Sequence, residues 1–180
     1  MYNILSYLDY VKPICLPYDD KSEEDYRKDE YGNNIEAHVS GWGATTQKGI
    51  DCNEIFVRYW IVFRHFSYLL SGNTMATKLQ KLTFTIFDVE KCKEIYKSSG
   101  GKISEQTQLC SGGEKGRDFC VGDSGTGLMV HRLARGDLME RWRLIGVTSF
   151  GPKNCGTKGV PGVLSRVRHY IDWILDNATP

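Results

Sequence analysis

The hexapeptide Cys120-Val121-Gly122-Asp123-Ser124-Gly125 places a serine in a turn flanked by glycines. A serine hydroxyl is a weak nucleophile. It works only where a base takes its proton and fixed donors hold the oxyanion that forms. Gly122 and Gly125 let the backbone turn sharply, so the N–H groups of Gly122 and Ser124 can point at one spot. The tetrapeptide Gly-Asp-Ser-Gly also suits a plain turn, so the residues around it must decide between the two readings.

The chain has 180 residues, 41% of them hydrophobic and 25% charged, which suits one domain with its own core. A net charge of +1 gives no reason to expect nucleic acid or an anionic membrane surface as a partner. Nineteen glycines and ten tyrosines favour strands and turns over a helical bundle. The cysteines stand at 15, 52, 92, 110, 120 and 155, with no C-x-x-C pair. A disulfide framework in an oxidising compartment therefore fits better than a zinc ribbon, and no metal or cofactor is expected. Met1-Tyr2-Asn3-Ile4 lacks the basic start and apolar core of a signal peptide. The combination gives the expectation that an N-terminal part is missing.

Moving outward, Pro13 and Pro17 around Cys15 predict an extended connector along the surface. Ten acidic and basic residues between Tyr18 and Asn34 predict a solvated loop. His38 to Gly43 predicts a strand running into a glycine turn. Leu79 to Phe87 alternates, with Leu82, Phe84 and Ile86 on one face of a strand. Asp88 is placed to cap a short helix through Tyr96. Arg143–Phe150 and Val163–Val167 predict two more strands. Tyr170, Trp173 and Ile174 mark a C-terminal helix. The sum is all-β with a terminal helix. The aromatic-rich stretch 51–73 carries Arg58, Arg64 and His65, too much charge for a membrane span.

Five blocks in order carry a family likeness: VKPICLP (11–17), VSGWGAT (39–45), LCSGGEKGRDFCVGDSG (109–125), VTSFGPKNCGTKGVPGV (147–163) and HYIDWILDN (169–177). In these the chain resembles the chymotrypsin (trypsin-like) family of secreted serine proteases, closest to the arthropod clip-domain members. The resemblance implies the second six-stranded antiparallel Greek-key barrel of that fold plus a C-terminal helix, with the first barrel largely missing. Residues 1–36 would be the inter-barrel connector and charged loop. Residues 37–180 would be the C-terminal barrel, with an anomalous insertion at 51–73. Ser124 would be the acylated nucleophile, with Gly122 and Ser124 as the oxyanion hole. Asp123 would pair with the N-terminus freed by zymogen cleavage. Asp118 would floor a primary pocket selecting Arg or Lys of a protein or peptide substrate. Gly151 and Gly162 would keep that pocket open, and Ser149, Phe150 and Gly151 would pair with the substrate backbone. The implied disulfides are Cys92–Cys110 and Cys120–Cys155. Cys15 would tie to an upstream segment. Secretion, and a protease inhibitor as a partner, are implied in the same way.

The likeness also breaks in places. The family order is His, Asp, Ser. None of His38, His65, His131 and His169 lies in the small-apolar context that the family uses, and Asp9 is too close to Cys15 to be the catalytic acid. The expectation is a chain without its catalytic base, and so without proteolysis of its own. Thr126 stands where the family has glycine, which predicts local strain. Phe119 stands where the family prefers a small residue and could narrow the pocket. Phe150 replaces the commoner Trp. Two functions follow: a trypsin-like endopeptidase of which this is a partial chain, or a non-catalytic homologue acting as a binding cofactor in an extracellular protease cascade.

Overall fold

The computed structural model describes residues 14–18, 24–27, 33–46, 74–132 and 141–178. The stretch 51–73 lies outside the described residues, as does Cys52. Among the described residues there are eight strands: β1 (Glu36–Gly41), β2 (Ala44–Thr46), β3 (Thr74–Met75), β4 (Gln80–Thr85), β5 (Gln108–Ser111), β6 (Gly127–Arg132), β7 (Arg141–Phe150) and β8 (Gly162–Arg166). Helix α1 (Glu24–Arg27) is a single turn, α2 spans Val89–Lys97, and a 3-10 turn (Val167–Tyr170) leads into α3 (Ile171–Asn177).

Six strands form one antiparallel sheet in the order β4-β1-β6-β7-β8-β5. β5 pairs with β8 rather than with its successor β6, and β6 returns beside β1, which is the Greek-key crossing. The sheet curls until its two edges meet. Ile86 bridges Ser111, Phe87 N–H donates to Cys110 O at 2.8 Å, and Gly112 N–H donates to Thr85 O at 3.4 Å. Joining the edges removes strand ends that would otherwise recruit another chain.

Period-two alternation directs one face inward. Ala37, Val39, Phe84, Leu109, Leu128, Val130, Ile145 and Leu164 are buried together. A second cluster joins α2 to the barrel wall through Cys92, Tyr96, Cys110 and Val163. The Cys92–Cys110 and Cys120–Cys155 disulfides are both formed. Cys15 is without a disulfide among the described residues.

The Asp88 cap is present: its carboxylate accepts the Lys91 N–H at 3.0 Å. That hydrogen bond, followed by the charge of Arg27, holds the Asp88 carboxyl below its ordinary value. A lowered folded value means the cap stabilises above the unfolded pKa and stops doing so as pH falls through the folded one. Asp88→Ala is expected to cost about 1 kcal/mol at neutral pH, and thermal melts of the two proteins should converge in acid.

Two expectations are corrected. The connector is extended, but it is not confined to the surface. Cys15 N–H donates to Trp142 O and Leu144 N–H donates to Cys15 O, laying the segment along β7, and Pro17 is fully buried. Within the charged stretch, Tyr26 belongs to the core, because α1 folds back through Ile35 N–H donating to Arg27 O. The expected C-terminal helix is present, and its 3-10 entry brings Val167 and Ile171 inward, with Ile174 half-buried, while Trp173 stays 65% exposed.

Candidate active site

The turn that carries Ser124 is held from three sides. Cys120–Cys155 anchors its start. Asp123 N–H donates to Cys120 O and Thr126 N–H to Asp123 O, so two tight turns follow each other. On the flanks, Ala44 N–H donates to Val121 O, and Gly125 N–H donates to Thr148 O of β7. Gly122 (φ +97°) and Gly125 (φ +85°) adopt left-handed conformations that only glycine takes without strain. Ser124 sits exposed between them. The N–H groups of Gly122 and Ser124 have no acceptor among the described residues. They are therefore available to an external oxygen.

Beneath the serine, the Asp123 carboxylate turns inward. Oδ1 accepts the Gly43 N–H at 2.8 Å and Oδ2 accepts the Cys120 N–H at 3.0 Å. Gly41 and Gly43 are both needed for this, since a Cβ on either would collide with that carboxyl group. Two glycines two apart signal a turn, and here also a close approach of the backbone to a side chain. Beside Asp123 lies a cavity of about 210 Å³. Val39, Leu82 and Phe119 are among its apolar lining residues, and Asp118 and Asp123 line it as well. None of Ser149, Phe150, Gly151 or Gly162 lines it.

Thr126 is not strained. It has no positive φ. Its hydroxyl lies 2.8 Å from Asp123 O, to which it donates, and 3.1 Å from the hydroxyl of the buried Thr148. The hydroxyl thereby braces the turn. Thr126→Val, which keeps the shape and deletes the hydroxyl, is expected to cost about 1 kcal/mol in urea unfolding. Thr126→Ser should cost only a few tenths.

Asp118 Oδ2 accepts the Gly156 N–H at 2.9 Å, while Oδ1 is buried with no hydrogen-bond partner among the described residues. Burial pushes the Asp118 carboxyl up, offset in part by the backbone N–H groups of Gly156 and Phe119. Tyr96 lies close by and donates its hydroxyl to Pro161 O at 2.7 Å. Burial, then the Asp118 charge, pushes Tyr96 up to about 12. The Tyr96 ring stands edge-on to Phe150, centroids 5.7 Å apart.

The 149–151 segment is presented by a bulge. Thr148 pairs with Leu164 and Phe150 with Val163, so Ser149 is the extra residue. A bulge bends the strand and re-aims its side chains, and Ser149, Phe150 and Gly151 are all exposed. The histidines are elsewhere engaged: His38 and His131 flank Trp142 with centroids 5.2 and 4.9 Å away, and His169 meets Tyr170. His65 lies outside the described residues. Among the described residues no helix is long and apolar enough to cross a membrane.

A family model described as trypsin matches residues 68–174, more than half of the chain. Spaetzle-processing enzyme of Drosophila melanogaster is 36% identical over 177 residues, covering 98% of this chain and 36% of that protein. CLIP domain-containing serine protease B4 of Anopheles gambiae is 34% identical over 173 residues, covering 96% and 38%. The chain thus spans little more than a third of the length of these relatives. Among solved structures, neuropsin, a serine protease expressed in the limbic system of mouse brain, superposes with a TM-score of 0.63 at 25% identity over 97% of this chain and 57% of that one. With this barrel and these matches, the chain belongs to the trypsin family of serine proteases, with clip-domain proteases among its relatives.

Proposed function

We propose that residues 1–180 form the nucleophile-bearing part of a secreted serine endopeptidase. Ser124 Oγ attacks the scissile carbonyl, and the N–H groups of Gly122 and Ser124 receive the oxyanion. The observation that carries this reading is the exposed Ser124 beside two backbone N–H groups that have no acceptor among the described residues, on a turn braced from three sides. The base and its orienting acid come from sequence beyond this chain. That agrees with the greater length of the relatives and with the described histidines lying against Trp142 and Tyr170. Residues 37–180 then make the second barrel, and 1–36 lead into it.

Asp118 is proposed to select Arg or Lys in a protein or peptide substrate through its unpartnered Oδ1. Asp123 is proposed to take the cationic N-terminus freed on zymogen cleavage. The cavity at its side supports this, because it offers apolar wall for a side chain next to a carboxylate. Two disulfides support an oxidising, extracellular location, where a protease inhibitor is a natural partner. Hydrolysis of a chromogenic Arg peptide tests the reading. The larger protein, once activated, should cleave it and should prefer it to the norleucine analogue. Failure to cleave after activation sinks the proposal and leaves the binding-cofactor role.

A further inference from the structure

Phe119 precedes the Ser124 turn and is 5% exposed. Its ring meets Phe84 edge-on at 6.0 Å on one side. On the other it lies against Gly162, so closely that a Cβ on Gly162 would fall on ring carbons. The walls named by the family likeness are themselves close: a Cβ on Gly151 would sit 3.7 Å from Gly162 Cα. Space that two glycines leave open is thus taken up by this chain's own phenyl ring. On the preceding residue, Asp118 Oδ1 is buried with no hydrogen-bond partner among the described residues. A buried carboxylate oxygen without a partner is costly, so it should take up a cation that can reach it.

We infer that Phe119 is the specificity-limiting residue of this site: its ring plugs the primary pocket between Gly162 and Phe84 and keeps cationic side chains from Asp118. The inference rests on the reading of Asp118 as the pocket floor. Under it, Asp118 sets which charge is accepted and Phe119 sets how weakly. A long cationic side chain enters only when the ring swings out, and small side chains are the ones admitted without that movement.

The test is a fluorescence titration of the full chain with p-aminobenzamidine, a flat aromatic cation, across the wild type, Phe119→Ser and Phe119→Ser/Asp118→Asn. Phe119→Ser should bind about 100-fold more tightly than wild type, and the double variant should lose that gain. Wild type binding within about threefold of Phe119→Ser, with Asp118→Asn weakening both, overturns the plug and leaves Asp118 as the cation site. No binding by a Phe119→Ser protein with native circular dichroism overturns both. Phe119 is a core residue, so a second measurement needs no variant. Carbodiimide-driven amidation of the wild-type chain, read by peptide mass spectrometry, should modify Asp118 at least about tenfold more slowly than the exposed Glu114. Equal rates contradict the plug.

Discussion

Ser124→Ala in the activated larger protease is expected to lower kcat for an Arg peptide by about 10⁶-fold, with KM changed little. On the proposed mechanism the loss falls on kcat, because the Oγ would form a bond only in the transition state, whereas the pocket and the 149–151 segment would bind ground state and transition state alike. The variant should fold as well as the parent, since Ser124 is exposed and no hydrogen bond to its side chain is present among the described residues. Equal thermal midpoints together with the kcat loss separate chemistry from stability. Residues 1–180 alone should not cleave the peptide, because the described histidines are committed to Trp142 and Tyr170. Cleavage by 1–180 that disappears in Ser124→Ala would show that a base within this chain reaches the serine.

Asp123→Ala is expected to be the most destabilising single change at the site, by about 2–6 kcal/mol. Its carboxylate is the acceptor for two backbone donors, Gly43 N–H and Cys120 N–H. Removing it leaves both unsatisfied in a part-buried turn, at about 1–3 kcal/mol each. The gap between Gly41 and Gly43 that the carboxyl fills would be left empty as well. Urea unfolding should show a lower midpoint with an unchanged slope. Asp123→Asn keeps an acceptor for one of the two N–H groups and should fall between alanine and wild type. An Asp123→Ala protein as stable as the parent would mean that the Gly43 contact does not organise the turn.

Much of the barrel can be read directly from residue patterns. Leu82, Phe84 and Ile86 alternate as a strand should, and Phe84 is buried while its two companions are partly so. Asp88 caps its helix through a hydrogen bond that its position three residues before Lys91 allows. What escaped local reading depends on distant parts of the chain. β5 has only four residues before Gly112 and Gly113, and β6 opens on Gly127, so their strand character comes from pairing with β8 and β7. Tyr26 hides in a run of charge and is recruited to the core by the backbone bond between Arg27 and Ile35. In the site, Gly122, Asp123 and Ser124 are legible from the turn itself. Thr126 and Phe119 are not, because the partners that settle them, Thr148 for one and Gly162 for the other, lie far away in sequence.

Covalent labelling tests the central claim most directly. A fluorophosphonate probe loses fluoride to an activated serine Oγ and leaves a phosphonyl ester at that residue. Applied to the activated larger protein and mapped by peptide mass spectrometry, it should place one adduct, on Ser124, that vanishes in Ser124→Ala. An unmodified Ser124 in folded, activated protein, or an adduct on another residue that persists in Ser124→Ala, would contradict the account.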